Sequence, residues 1–122
     1  RSSDEVAKGV KELINIAKNT FSGKGTWHDQ NLSEIVVICP PILGELSNDL
    51  QWSNYIEWEG AFDKSKKLFN SLKNITDEEK ICLIDSNEYI KSSKLDPIHW
   101  SKETHETFGK KVADYIVDKI KL

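Results

Sequence analysis

A chain of 122 residues is long enough for one small domain or for part of a larger one. Its 38% hydrophobic and 30% charged residues describe a globular protein, and a formal net charge of −3 with Lys and Arg scattered along the chain excludes an electrostatic binder of nucleic acid or of a membrane surface. The longest apolar runs, such as Ile35-Val36-Val37-Ile38-Cys39, are far too short to span a bilayer, and no secretory signal is visible; a cytoplasmic origin is the default expectation for a chain whose two cysteines are read as reduced.

The first expected element is a helix. Val6, Val10, Leu13, Ile14, Ala17 and Phe21 recur at helical spacing, and Ser2-Ser3-Asp4-Glu5 reads as a capping box with Ser2 as the cap. Gly23 and Gly25 end it, and a polar loop with Trp27 and His28 follows, in which His28 is read as a surface residue. Glu34 to Cys39 is a continuous β-branched apolar run, the pattern of a strand covered on both faces. Pro40-Pro41 stops it, because Pro cannot donate to a ladder. Residues 42–58 are aperiodic, hold Trp52, Tyr55 and Trp58, and are long enough to contain a short turn of helix.

A second helix fits Gly60 to Lys73, with Phe62, Ser65, Phe69 and Leu72 on one face and Leu68 beside it. Ile81 to Asp85 is a second buried strand. After a polar connection, Ser101 caps a last helix whose shared face carries His105, Phe108, Val112, Tyr115, Ile116 and Ile120. His105 is read as a packed, hydrogen-bonded core histidine. The cysteines, Cys39 and Cys82, fall inside the two strands. In-register parallel pairing sets them about 10 Å apart, beyond the ~7 Å Cα reach of a disulfide, so both are read as reduced.

Alternating helices and strands define an α/β fold of three layers with a parallel sheet. Two strands make a poor sheet, and strands apolar on both faces ask for more cover than this sequence supplies. Either another segment completes the sheet or the chain pairs with a copy of itself as a homo-oligomer.

In such a sheet, sites lie beyond the C-terminal ends of the strands. Two segments follow the strands here: Pro40-Pro41-Ile42 with its Trp-rich continuation, and the connection carrying Leu95-Asp96-Pro97-Ile98-His99-Trp100-Ser101. Asp and His three residues apart can meet across a turn, and a histidine acting as general base needs such an acceptor on one ring nitrogen. By spacing alone, the same pattern also describes a surface loop that leads into a helix cap.

Asp96-Pro97-Ile98-His99-Trp100, followed by Glu103-Thr104-His105 and Phe108-Gly109, resembles the last conserved block of the SGNH (GDSL-type) hydrolases. Val36 to Ile42 with its Pro-Pro pair resembles the fourth strand of that family's arylesterase-like branch. Gly60-Ala61-Phe62 with Ser65 and Leu68 resembles the branch's next helix, and Ser3 to Gly9 resembles the helix after the Asn-bearing block. Pro97 and Thr104 stand where the family frequently has Gly. The sequence has no Gly-Asp-Ser-type segment and no Gly-x-Asn-Asp block.

The resemblance implies a three-layer α/β/α, flavodoxin-like fold of which residues 1–122 supply the C-terminal portion of one domain, with only the last two strands. It implies an ester hydrolase of short-chain acyl or aryl esters, with His99 as general base and Asp96 as its partner in a Ser-His-Asp triad. Ile98, Pro41 and Ile42 are the candidate substrate-binding residues, and no metal or organic cofactor is implied. The chain opens at Arg1 and holds no Met, so it is expected to begin partway through a gene product or after processing. The expected partners are an N-terminal half of the same enzyme, from the same gene product or a separate chain, and a small ester. Nucleic acid and membrane are not expected, and the chain alone is expected to be inactive. The alternative reading is a non-enzymatic module that binds carbohydrate or protein through the Trp-rich loop 42–58.

Overall fold

The computed structural model describes residues 1–19, 34–93 and 95–120. Phe21, Gly23, Gly25, Trp27 and His28, on which the expected end of the first helix and the surface histidine rest, lie outside the described residues. The elements run α1 (Ser3–Asn19), β1 (Val36–Cys39), a 3-10 turn (Glu45–Asn48), α2 (Tyr55–Trp58), α3 (Ala61–Glu79), β2 (Cys82–Asp85), a second 3-10 turn (Ser86–Glu88) and α4 (Lys102–Ile120). The two strands pair in one parallel sheet, as an α/β chain requires of strands joined through a helix. The chain divides into two compact units, one of residues 1–39 and 67–84, the other of residues 40–66 and 85–122.

The first unit holds the hydrophobic core. Ala7 and Ile14 of α1, Leu72 and Ile75 of α3 and Cys39 of β1 are buried together, and Val10, Val37, Leu68, Phe69 and Leu83 pack against them. The capping box forms: the Ser2 N–H donates to Glu5 Oε2 at 2.6 Å and the Glu5 N–H donates to Ser2 Oγ at 3.2 Å. Polar pairs bind α1 to α3. Ser71 Oγ donates to Asp4 Oδ1 at 2.6 Å, and Lys11 and Lys18 meet Glu78 and Glu79 at 2.8 Å each.

Several expectations shift here. Val6 and Leu13 leave the α1 stripe and stand 42% and 66% exposed, because only the adjoining face through Ala7, Val10 and Ile14 meets α3. β1 is covered on one face only. Val37 and Cys39 point into the core, while Val36 and Ile38 are 38% and 41% exposed, so the continuous apolar run exceeds the cover that the described residues provide. Neither cysteine forms a disulfide.

The second helix starts where expected and runs further. Gly60, at φ +71°, sits in the left-handed region that favours glycine and separates α2 from α3. At the other end the helix passes Lys73 and reaches Glu79, since Ile75 and Thr76 are buried and Lys73 pairs with Asp77 one turn on at 2.8 Å. The end is a Schellman motif. The Ile81 N–H donates to the Thr76 carbonyl at 2.8 Å, the Lys80 N–H to the Asp77 carbonyl at 3.3 Å, and Lys80 itself has φ +55°. A lysine pays a steric cost there that glycine avoids. Lys80→Gly is therefore expected to stabilise the fold by up to about 1 kcal/mol, read as a rise of a few degrees in thermal midpoint.

In the second unit, Ser101 caps α4 as expected, accepting from the Thr104 N–H at 3.2 Å. The expected apolar face of α4 is only partly covered. Phe108 is buried, Val112 and Tyr115 are half-buried and Ile116 is 39% exposed. No described helix is long and apolar enough to cross a membrane.

Candidate active site

Asp96 and His99 meet as their spacing suggested, and one carboxylate does two things. Its Oδ1 accepts from the backbone N–H groups of Ile98 and His99, both at 2.9 Å, which shapes residues 96–99 into a tight turn. Its Oδ2 lies 2.9 Å from His99 Nδ1. The His99 N–H, the Ile98 N–H and the His99 ring together hold the Asp96 carboxyl down to about 2, from an ordinary 3.8. An ionised carboxylate only accepts, so Nδ1 must carry a proton, and in the neutral ring Nε2 then presents its lone pair. The His99 side chain is 80% exposed, which leaves that lone pair open to a partner.

Because the carboxyl is depressed in the folded chain, its support of the turn is complete above pH 3.8 and is lost as pH falls through about 2. Carbon-detected NMR of the Asp96 carboxyl is expected to give a midpoint near 2; a midpoint near 3.8 would mean that the turn is not formed in solution.

Trp100 anchors the turn to α4. Its ring meets Phe108 edge-on at 5.5 Å and lies 5.1 Å from the ring of His105. His105 is thus not the core histidine expected from helical spacing. It is exposed, with its ring tilted against that of Trp100, and the buried position of this face is Phe108, three residues on. Ile98, His99, Trp100 and His105 line a depression of about 380 Å³.

A larger cleft, of about 670 Å³, is lined by Ile42, Leu43, Leu46 and Phe62 among apolar residues and by Glu45, Asp49, Ser92 and Ser93 among polar ones. Of the candidate substrate residues, Ile42 lines this cleft and Ile98 lines the depression beside His99, whereas Pro41 lines neither. Trp52, Tyr55 and Trp58 are half-buried and line neither cavity; the expected short helical turn is α2, which contains two of them. No group of three or more His, Cys, Asp or Glu placed to hold a metal occurs among the described residues.

Hydrogen bonds tie residues 42–48 to the connection after β2. The Ile42 N–H donates to Asn87 Oδ1 at 2.7 Å, and Asn87 in turn donates to Asp85 Oδ1 through its backbone at 3.0 Å and its amide at 2.7 Å. Ser92 Oγ donates to the Ile42 carbonyl at 2.7 Å, and the Gly44 N–H to the Pro97 carbonyl at 2.9 Å. Gly44, Asn87 and Ser92 escaped the sequence reading. The bonds between residues 42–44 and 87–97 join positions 45 to 53 apart, and no local pattern marks them.

An α/β chain with this order of elements belongs to a known architecture. Neither a protein-family model nor a curated protein matches the sequence, but solved structures do. The chain is similar to a carbohydrate acetylesterase from Sinorhizobium meliloti, with 26% identity and a TM-score of 0.79 over 97% of this chain and 53% of that one. It is also similar to the aryl esterase of M. smegmatis, with 21% identity and a TM-score of 0.80 over the same shares, 97% and 53%. A second carbohydrate acetylesterase family member from S. meliloti has 17% identity and a TM-score of 0.82 over 99% of this chain and 54% of that one.

The chain spans about half the length of the structures it matches. It carries the α/β fold of the C-terminal half of an SGNH-type esterase, and its structural neighbours are ester hydrolases.

Proposed function

We propose that residues 1–122 are the base-bearing half of a serine ester hydrolase that acts on short-chain acyl or aryl esters. The observation that carries this reading is the Asp96 carboxylate, which bends the turn with one oxygen and orients the His99 ring with the other. His99 Nε2 takes the proton of a serine hydroxyl as that oxygen attacks the ester carbonyl. The imidazolium formed is stabilised by Asp96 and returns the proton to the departing alkoxide. Water then hydrolyses the acyl-serine by the same route, and no metal or organic cofactor takes part.

The serine and the donors for the oxyanion come, in this reading, from the N-terminal half of the same enzyme, as one gene product or as a separate chain. The bare β1 face of Val36 and Ile38 supports such a completing segment. Ile42 and Ile98 are assigned to substrate through the cavities they line. Two cysteines outside any disulfide fit a reducing compartment, so the reading includes a cytoplasmic location.

The test is hydrolysis of p-nitrophenyl acetate and of acetylated sugars by the complete protein, by residues 1–122 alone, and by the His99→Ala variant of the complete protein. Turnover by the complete protein only, and its loss on substitution, is the expected result. No hydrolysis by the complete protein, or an unchanged rate without His99, refutes the reading.

A further inference from the structure

We propose that Gly44 is a positioning residue for His99: its bare Cα lets Pro97 pack directly against it, and this contact sets where the Asp96–His99 turn stands. The inference rests on the function proposed above for its catalytic consequence, but not for its structural one.

A Cβ built on Gly44 would lie 2.8 Å from Pro97 Cα, 3.0 Å from Pro97 Cβ and 3.3 Å from Ser92 Cβ. The nearest of these is backbone, which cannot swing aside as a flexible side chain would. The conformation of Gly44 itself is ordinary extended backbone, φ −66° and ψ 151°, which any residue adopts. Glycine is therefore required at this position for close approach and not for its dihedral freedom, so a substitution here reads the contact alone.

The two sides of the contact are not held equally. Residues 42–48 are pinned at several further points. Ile42 N–H is held by Asn87 at 2.7 Å, the Leu43 N–H by Ser65 Oγ at 3.1 Å, and the Ile42 carbonyl by Ser92 at 2.7 Å. The Gly44 carbonyl accepts from both the N–H and the Oγ of the buried Ser47, at 2.9 and 2.7 Å. The bonds of the Asp96 carboxylate, by contrast, are all internal to residues 96–99. The turn is thus a small rigid body, and the 2.9 Å bond from the Gly44 N–H to the Pro97 carbonyl is what fastens its middle to the 42–48 segment. A side chain at position 44 pushes that body away as a unit, from 2.8 Å to at least the 3.4 Å of an ordinary contact. His99 moves with it while its hydrogen bond to Asp96 survives.

The experiment uses the complete protein with Gly44→Ala and, because that variant risks misfolding, Ser92→Ala, which only removes a hydroxyl from the same clamp. Gly9→Ala is the control, since a Cβ there meets nothing within 4 Å. Crystallography of Gly44→Ala is expected to find Pro97 to His99 displaced by about half an ångström or more with the Asp96–His99 bond intact. Kinetically, kcat is expected to fall about 10- to 100-fold with KM little changed, as a misplaced general base gives, and the Asp96 carboxyl should still titrate near 2. Ser92→Ala is expected to lower kcat a few-fold in the same sense, with Gly9→Ala at the wild-type value.

A Gly44→Ala structure in which residues 45–48 yield and the turn stays in place overturns the proposal, as does full kcat in a folded Gly44→Ala. If Gly44→Ala does not fold, an unchanged kcat in Ser92→Ala overturns it. Should the wild-type protein hydrolyse no ester, the proposed function fails, and the displacement alone then decides whether Gly44 positions the turn.

Discussion

His99→Ala is expected to lower kcat for ester hydrolysis by the complete protein about 10⁶-fold, with the fold intact. The size follows from the role. Without an imidazole the serine must lose its proton to water, and the leaving alkoxide must find one there. The side chain is 80% exposed, and its ring bonds only through Nδ1 among the described residues, so truncation leaves no cavity and strands no buried group. A thermal midpoint close to wild type, together with a collapsed rate, is the signature of a catalytic group. A fall in both would instead identify His99 as a structural residue.

Asp96→Asn is the more discriminating substitution, with an expected loss in kcat of about 10⁴-fold. Asparagine keeps an oxygen that can accept from the Ile98 and His99 N–H groups, so the turn is expected to persist. The atom facing His99 Nδ1 then becomes an NH₂ donor. The ring must answer with a lone pair at Nδ1, which moves its proton to Nε2, where the base needs a lone pair. Nitrogen-15 NMR of the imidazole checks this directly: the wild type is expected as the Nδ1–H tautomer and the variant as Nε2–H. If both proteins give the same tautomer, Asp96 orients nothing. Asp96→Ala removes the turn as well and is expected to lower the thermal midpoint, which Asp96→Asn does not.

The two predictions divide along what was legible in the residues. Helical and strand periods marked every major element, and the Ser2–Glu5 and Ser101 caps formed as their local chemistry demanded, because caps and periods depend on neighbours within a few positions. The Asp96–His99 meeting was readable for the same reason, being closed within four residues. Helix α3 was read short at Lys73, since its last turn is held by burial of Ile75 and Thr76 and not by propensity.

Helical spacing names a face without saying what that face meets, so His105 could not be told from a core residue: it stays exposed beside Trp100 while Phe108 takes the buried place. β1 was written in apolar residues for two covered faces, and only the packing of α1 and α3 decided which one is covered here. Gly44 lay beyond sequence reasoning altogether. An extended glycine after a Pro-Pro pair looks like any loop residue until Pro97, 53 positions on, is folded to within contact of its bare Cα. Sequence alone determined the α/β class, the element order and the spacing that allows Asp96 and His99 to meet, all set by short-range chemistry. Tertiary structure decided which apolar faces are buried and what holds the turn that carries His99, because those depend on contacts between residues far apart in the chain.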